Sequence, residues 1–261
     1  MKLEVKDGCY SYGSHEVLKD VSFSVSSGEV LAVLGQNGIG KTTLLRCTMG
    51  LLKWKSGETL LDGRNLSEYK SADVWKKIAY VPQARNNISS CTAREMVLLG
   101  RSAHLGLFQQ PSDKDREIAD RAIRFVHMEK LADKMCNRIS GGELQMILIA
   151  RALCTEPEML VLDEPESNLD FRNQLLVLDT IQRLSKEQGI AAVINTHYPV
   201  HALKIADKAI VLNDDLSSIY GNCQDVVNEQ NLSSAFHVDV RISENSFSGN
   251  LYKSVVPIRL I

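Results

Sequence analysis

The chain has 261 residues, of which 44% are hydrophobic and 24% are charged, and its formal net charge is −2. This composition is typical of a soluble globular protein, and the near balance of charge argues against nucleic acid as a partner. No apolar run approaches the roughly 18 residues that span a bilayer, and residues 1–7 lack a signal-peptide core. The six cysteines contain no C-x-x-C pair, as expected of reduced thiols in the cytosol. We therefore expect any membrane contact to run through a partner protein.

Alternation of apolar and polar residues near the start of the chain predicts an antiparallel sheet. Residues 21–26 have this pattern, residues 3–5 and 59–61 look like the neighbouring strands, and Asp62-Gly63 is a hairpin turn signal. Short continuous apolar runs are typical instead of strands buried on both faces of a parallel sheet. These runs are residues 30–34, 78–81, 159–162, 190–194 and 209–212.

Residues 35–42 separate the first buried run from a helical pattern, and their sequence, GQNGIGKT, is a complete P-loop. Glycine lets backbone N–H groups turn inward around phosphate oxygens, and the following helix directs its positive end at them. Lys41 would reach the β- and γ-phosphates, and the Thr42 hydroxyl would bind Mg²⁺. A glycine-rich turn with a chance lysine does not explain the strand–loop–helix order. The predicted nucleotide-binding residues are Gly35, Gln36, Asn37, Gly38, Ile39, Gly40, Lys41, Thr42 and Thr43.

The apolar run at 159–162 ends in two carboxylates, Asp163 and Glu164, which is the Walker B arrangement. Asp163 would help to hold Mg²⁺, and Glu164 is placed to polarise the water that attacks the γ-phosphate. Acidic residues also end strands as solvated turn residues. The P-loop in the same chain favours the catalytic interpretation.

A third motif, Ser140-Gly141-Gly142-Glu143, stands before a helical pattern, 23 positions ahead of Asp163. Small residues followed by a helix build an anion-binding helix N-terminus, although serine is also an ordinary N-cap. With the P-loop and the Walker B strand, this motif resembles the signature of the ATP-binding-cassette (ABC) ATPases. The resemblance covers nearly the whole chain.

Other motifs of that family follow in the expected order. Gln83 resembles the Q-loop glutamine, Asp170 the D-loop aspartate and His197 the switch histidine. Tyr12 resembles the aromatic residue that stacks on adenine, and Tyr10 is the alternative beside it. The resemblance implies catalytic roles for Glu164, His197 and Gln83, and Mg²⁺ ligands at Thr42, Gln83 and Asp163.

The resemblance also implies the architecture. It is an α/β fold with a P-loop NTPase core and mostly parallel sheet, an antiparallel β subdomain, and a helical signature subdomain inserted at about residues 85–155. This ABC ATPase domain would span residues 2–237, with residues 238–261 as a C-terminal tail, and the sequence pattern itself weakens into short segments from Asp214 onward. ATP and Mg²⁺ are the implied cofactors of a head-to-tail homodimer. Each nucleotide in that dimer contacts the P-loop of one subunit and Ser140, Gly141, Gly142 and Glu143 of the other.

Residues 93–101 and 104–106 resemble subunits that power the import of metal chelates such as ferric siderophores, haem and cobalamin. The implied partners are a membrane permease pair and an extracytoplasmic substrate-binding protein, with this chain at the cytoplasmic face of the membrane. The alternatives are an importer of another substrate, a soluble ABC ATPase for cofactor assembly or translation, and a scaffold without activity. Intact Lys41, Asp163, Glu164 and His197 argue against the scaffold.

The segment from Gln83 to Gly106 is expected to dock the permease, because it follows the Q-loop glutamine. Its charged side chains are candidates for that contact, and a solvated helical face is the alternative. They include Arg85, Arg94, Glu95 and Arg101.

The sequence departs from the usual family pattern in three places. Leu144 and Met146 stand where a basic or polar residue is common, Glu166 where a small or apolar one is, and Tyr198 where aspartate is. His197 and His201 also have the i, i+4 spacing of a metal-binding pair, but no third ligand is evident.

Overall fold

The structure is a computed structural model and describes residues 1–84, 90–106 and 108–261. Its strands are β1 (Lys2–Tyr12), β2 (His15–Ser26), β3 (Val30–Leu34), β4 (Ser56–Leu61), β5 (Arg64–Asn65), β6 (Ile78–Val81), β7 (Met159–Asp163), β8 (Ala191–Asn195), β9 (Lys208–Leu212), β10 (Ser218–Asn222), β11 (Val238–Phe247) and β12 (Asn250–Leu260). Its α-helices are α1 (Lys41–Thr48), α2 (Ser71–Lys77), α3 (Ala93–Leu98), α4 (Asp113–Phe125), α5 (Gly141–Cys154), α6 (Phe171–Gln188), α7 (Pro199–Ile205), α8 (Cys223–Val226) and α9 (Glu229–Phe236). Short 3₁₀ turns occupy Leu66–Glu68, Leu99–His104, Glu129–Leu131 and Cys136–Arg138.

A mostly parallel sheet lies at the centre of the described structure, with the strand order β10-β9-β3-β8-β7-β6. The five apolar runs that predicted buried parallel strands all lie in it, and β10 joins β9 antiparallel. Strand β3 shows why such a run is continuous. Val30, Ala32 and Leu34 pack into one hydrophobic core, and Leu31 and Val33 pack into a second core on the opposite face.

A second, antiparallel sheet has the order β2-β1-β4-β5 and shares the second core with α1. The predicted hairpin joins β4 to β5 at Asp62-Gly63, where both residues have positive φ, 51° and 79°. One detail of the prediction was wrong, because residues 59–61 do not pair with β2. They pair with β1, which lies between β2 and β4.

Helices replace strands between β6 and β7, as the sequence predicted. Within the described residues of this insertion, α3, α4 and α5 pack on one another and share the first core. Each begins with a reciprocal capping box, formed by Thr92 with Glu95, Ser112 with Asp115 and Ser140 with Glu143. The predicted α/β fold class with a helical insertion is therefore confirmed. Among the described residues, none of the helices combines the length and the apolar character that crossing a bilayer requires.

The end of the chain differs from the predicted tail of short segments. Strands β11 and β12 form a long antiparallel hairpin through a turn at Ser248-Gly249, where φ is 50° and 80°. One end of the hairpin packs on the first core through Val240 and Val255. The period-two pattern of β11, with alternate apolar residues from Val238 onward, accounts for this strand.

The carboxyl ends of the parallel strands meet at one edge of the central sheet. Asn195 is in register with both Val33 and Asp163, so the segments after β3, β7 and β8 leave the sheet side by side. Val81 is in register with Leu162, which places the end of β6 next in line. Open α/β sheets bind their ligands at this edge.

Candidate active site

The loop between β3 and α1 depends on glycine. Gly35 and Gly40 have φ of 146° and 112°, a region that residues with a Cβ rarely adopt. A Cβ on Gly40 would also lie 2.7 Å from Cγ1 of Val17. Lys41, at the start of α1, folds back over the loop, and its Nζ donates to the carbonyl oxygens of Gly35 (2.8 Å) and Gln36 (2.9 Å).

The chemistry of this loop fits a chain of phosphate groups. The backbone N–H groups of Asn37, Gly38 and Gly40 donate no hydrogen bond to any described residue. Burial lowers the pKa of Lys41, while the carboxylates of Glu164 and Asp163 act in the opposite direction. A phosphate chain would accept hydrogen bonds from those N–H groups and offset the burial of the ammonium group.

Asp163 lies next to the P-loop and is held on three sides. Thr42 Oγ1 is 3.2 Å from both oxygens of its carboxylate. Asn195 Nδ2 donates to Oδ1 (2.5 Å), and the Tyr80 hydroxyl donates to Oδ2 (3.1 Å). Mg²⁺ prefers oxygen ligands, so the Thr42 hydroxyl and the Asp163 carboxylate fit the metal. Tyr80 and Asn195 were missed by the sequence prediction, although each is a polar residue within or ending an apolar strand.

Gln83, the third predicted Mg²⁺ ligand, lies just beyond β6 and is half-buried. None of the hydrogen bonds that Thr42 and Asp163 form with described residues involves it. The next residue is tied to α5, because Ala84 N donates to the buried side chain of Gln145 (2.9 Å). The structure thus brings two of the three predicted ligands together and connects the segment after Gln83 to the signature helix.

Glu164 and His197 form a second pair at this edge. Glu164 has a positive φ of 47°, and its N–H donates to Asn195 O (3.0 Å), which fixes the turn after β7 to the end of β8. Its Oε2 accepts from Ser167 Oγ (3.1 Å), and its Oε1 lies 3.8 Å from Nδ1 of His197. A carboxylate and an imidazole at this separation can both take part in the transfer of a proton from one water molecule.

The two candidate tyrosines differ in exposure and in their neighbours. Tyr12 is 49% exposed, and its hydroxyl is 3.5 Å from Thr43 Oγ1 at the start of α1. Tyr10 instead packs against the second core and contacts the Tyr12 ring edge-on, with centroids 5.0 Å apart. Tyr12 is therefore the solvent-exposed ring of the two, beside the P-loop helix α1.

The signature residues lie at the start of α5, where Ser140 is the N-cap residue. Its Oγ accepts from the backbone N–H of Glu143 (3.3 Å), which is the N-cap bond, and its N–H and hydroxyl donate in return to the Glu143 carboxylate (2.8 and 2.9 Å). Gly142 is required by close packing, because a Cβ there would lie 2.5 Å from Cγ of Asn173. Asn173 in turn donates through its backbone N–H and its Nδ2 to the carboxylate of Asp170 (2.8 and 2.9 Å). Within one subunit, Asn173 thus links the signature residue Gly142 to the D-loop residue Asp170.

Two departures from the family pattern have a packing explanation. Leu144 and Met146 are buried on α5, so apolar side chains suit their positions. At the second histidine of the His197 and His201 pair, Nδ1 of His201 lies 3.4 Å from Oε1 of Glu166. No group of three or more potential metal ligands of the His, Cys, Asp and Glu type occurs within the part of the chain that the structure describes.

The described charged residues that were expected to contact a permease form hydrogen bonds and ion pairs within the chain. Arg101 is buried and donates to Asp115 (2.8 Å), to Cys154 O (3.0 Å) and to Glu156 (3.1 Å). Arg94 pairs with Asp120 and Asp133, and Glu95 belongs to a capping box. Arg85 lies outside the described residues. Arg101 is therefore not available at the surface, because its side chain is buried among these partners, whereas the partly exposed Arg94 stays a candidate for the permease contact.

Comparison with known proteins extends over most of the chain. The family model described as ABC transporter matches residues 18–167. An ABC transporter ATP-binding protein of Methanocaldococcus jannaschii is 39% identical, over 93% of this chain and 94% of that protein. The molybdate import ATP-binding protein MolC of Haemophilus influenzae is 31% identical, over 96% of this chain and 94% of MolC. An iron chelatin transport ATP-binding protein of Helicobacter pylori is 33% identical, over 90% of this chain and 93% of that protein.

The fold has a solved counterpart of similar extent. A structure described as a metal-chelate type ABC transporter in an inward-facing conformation matches with a TM-score of 0.88 and 30% identity, over 98% of this chain and 97% of that chain. A family match that spans more than half of the chain, and relatives above 30% identity over nearly all of it, agree with the P-loop geometry. The chain therefore belongs to the ABC transporter family and is one of its ATP-binding-cassette ATPases.

Proposed function

We propose that this ATPase powers a metal-chelate importer as a homodimer on the cytoplasmic side of a membrane permease. The observation that carries the proposal is the meeting of three separate segments at one sheet edge. The P-loop, the Asp163-Glu164 turn and the segment that carries His197 are joined there by hydrogen bonds and by the 3.8 Å approach of Glu164 to His197.

The chemistry follows from these residues. Lys41 and the backbone N–H groups of the P-loop bind the phosphate chain and neutralise part of its charge. Thr42 and Asp163 would hold Mg²⁺, with Gln83 as the further ligand that the family resemblance implies, and the metal would neutralise further charge on the phosphate oxygens. Glu164 takes a proton from the water whose oxygen attacks the γ-phosphorus, and the bond to the oxygen that bridges to the β-phosphate breaks to leave ADP.

Exposed apolar residues beside the D-loop support the dimer. Phe171 and Leu175, in the first turns of α6, are 87% and 48% exposed, and Phe171 directly follows Asp170. Large exposed apolar side chains that lie together mark interaction surfaces. In the proposed dimer this surface meets the partner subunit, and Ser140 and Gly142 reach the nucleotide held by the partner's P-loop.

A shallow groove between the core and the helical insertion supports permease docking. It has a volume of about 290 Å³ and is lined by Trp75, Tyr80, Leu99, Gly100 and Ala103, among others. Leu99 at its rim is 56% exposed, and Phe108 beyond the 3₁₀ turn is 98% exposed. We place the permease contact on these apolar side chains and not on the buried Arg101 of the same segment.

The proposed substrate class rests on the names of relatives. The Helicobacter pylori relative and the solved structure are both named for metal chelates, and these names support a chelate for this system. MolC, a molybdate import protein, supports a molybdate importer as the second candidate. Reconstitution with the permease and the substrate-binding protein tests the choice. A ferric chelate should stimulate ATP hydrolysis and molybdate should not, and the reverse result would favour the oxyanion.

Glu164→Gln tests the ATPase mechanism. The amide keeps the shape of the side chain but cannot take a proton, so turnover should fall by about 100-fold or more while ATP binding persists. Sizing chromatography with ATP and Mg²⁺ should then show a stable dimer. Glu187→Gln, on the exposed end of α6, is the matched control and should behave as wild type. Normal turnover by Glu164→Gln, or a monomer under all conditions, would contradict the assignment.

A membrane partition experiment tests the alternative of a soluble ABC ATPase. A transporter subunit should sediment with membranes only when its permease is co-expressed. A chain that stays in the supernatant in both cases would favour the soluble alternative.

A further inference from the structure

A buried carboxylate lies directly behind the proposed site. Glu166 stands two residues after Glu164, and its side chain is 0% exposed. Its Oε1 accepts a hydrogen bond from Thr196 Oγ1 and lies 3.4 Å from Nδ1 of His201. Its Oε2 has no hydrogen-bond partner within the described part of the chain. Burial of a carboxylate is costly even when it is paired, a cost that a small or apolar residue at this position would avoid.

This cluster reaches His197 by two routes. Thr196 precedes His197 in the chain, and its Oγ1 also accepts from Tyr198 N (3.1 Å). On the other side His201 packs against the Tyr198 ring (centroids 4.8 Å apart), and Tyr198 packs against the His197 ring (4.0 Å). Since Nδ1 of His197 has no hydrogen-bond partner among the described residues, the orientation of its ring depends on this packing.

We propose that Glu166 and His201 are positioning residues, which hold the His197 ring at its 3.8 Å approach to the Glu164 carboxylate. The inference rests on the proposed roles of Glu164 and His197 in hydrolysis. Glu166 supports the chain on both sides of His197, through Thr196 directly and through His201 and Tyr198. No hydrogen bond joins Glu166 or His201 to a described residue of the P-loop, so the two side chains act on turnover and not on nucleotide binding.

The test is a comparison of kcat, KM and ATP affinity for variants of the full chain. Glu166→Ala should lower kcat by about tenfold or more, because a misplacement of about 1 Å can cost about 100-fold. KM and ATP affinity should not change. Glu166→Gln keeps an acceptor for Thr196 and should retain more of kcat than Glu166→Ala. His201→Gln conserves most of the side-chain volume and keeps a donor for Glu166. Its kcat should also lie between that of the wild type and that of Glu166→Ala.

A His197→Ala background separates positioning from general damage. If Glu166 acts through His197, Glu166→Ala should leave the residual turnover of His197→Ala unchanged within about twofold, since groups that act as one unit are not additive. If the losses of turnover from Glu166→Ala and His197→Ala instead multiply in the double variant, the proposal is overturned. A Glu166→Ala variant with wild-type kcat would also overturn it.

Asp207→Asn is the control for lost stability alone. Asp207 accepts from Val30 N (2.8 Å) and Lys186 Nζ (2.6 Å) at the amino end of β3, which is the end of the strand remote from the P-loop. This variant should lower the thermal midpoint without lowering kcat at 25 °C. A loss of kcat in Asp207→Asn equal to that in Glu166→Ala would overturn the positioning role. If the wild-type chain shows no turnover that depends on Glu164, the proposed function itself fails, and that result is distinct from all of the above.

Discussion

Lys41 and Ser140 contact different parts of their own subunit, although both are assigned to phosphate binding. Lys41 is buried in the P-loop, where its ammonium group donates to two backbone carbonyl oxygens. Ser140 begins α5 and is bound to Glu143. The roles proposed for them are therefore separable, since Lys41 would act on the nucleotide of its own subunit and Ser140 on that of the partner.

Lys41→Ala and Ser140→Arg should differ at the level of the monomer. Loss of the charged hydrogen bonds in Lys41→Ala should weaken ATP affinity by about 10- to 100-fold, because such bonds are worth about 1.5–3 kcal/mol. Ser140→Arg should leave monomer affinity unchanged and abolish turnover, because the side chain would obstruct the partner's nucleotide. Fluorescent nucleotide titration at low protein concentration measures the first effect. An equal loss of affinity in both variants would contradict the assignment of Ser140 to the partner's site.

The helical insertion is held together by one buried ion pair among its described elements. Arg101, in the 3₁₀ turn after α3, pairs with Asp115 near the start of α4. The Ser112 hydroxyl and N–H, and then Arg101, hold the pKa of Asp115 at about 2, below its usual value of 3.8. The ionised carboxylate therefore stabilises the contact between the turn after α3 and the start of α4.

The stabilisation by Asp115 should depend on pH. Because its pKa is lowered on folding, its contribution is fully present well above pH 3.8 and is lost as pH falls from there towards 2. Asp115→Asn should thus be less stable than wild type to urea at pH 7, and the difference should shrink when both proteins are measured at pH 3. Asp113→Asn, an exposed neighbour on α4, is the matched control. A difference that stays constant between these pH values would contradict the role of the charge.

The molecule as a whole presents exposed apolar side chains on the two surfaces that are proposed to contact partners, one beside Asp170 and one on the insertion. Phe171 belongs to the first and Leu99 and Phe108 to the second. The hydrogen bond from Ala84 N to Gln145 and the close approach of Gly142 to Asn173 connect α5 of the insertion to the segment after β6 and to α6. In the proposed importer, a change at the nucleotide would reach the permease through these packed elements of one chain.

Leu99→Glu combined with Phe108→Glu should reduce co-purification with the permease. Burial of a carboxylate in an apolar contact is unfavourable, whereas both side chains are exposed in the isolated subunit. The fold and ATP affinity should be unchanged. Arg116→Glu, an exposed charge reversal on α4, is the control that should retain the permease. Full retention by the double variant would place the docking surface elsewhere.

Several features of this protein were determined by sequence alone, because each depends on local chemistry. The P-loop, the acidic end of β7 and the signature motif use residue types that only a few backbone arrangements require. The buried parallel strands were predictable because continuous apolar runs suit strands with two covered faces. The β11–β12 hairpin was also predictable from local signals, because β11 has apolar residues at a period of two and Ser248-Gly249 suits a turn.

Only the tertiary structure decided which side chains work together. The roles of Tyr80 and Asn195 depend on the register of β6, β7 and β8, which brings residues from three separate segments to Asp163. Arg101 reads as a surface charge in sequence, yet its partner Asp115 lies one element away and both are buried. In the sequence, Glu166 is only a departure from the family pattern, whereas the structure shows that Thr196 and His201 contact its carboxylate. Local sequence can specify a strand, a turn or a cap, but the partner of a buried charge is set by how distant elements pack.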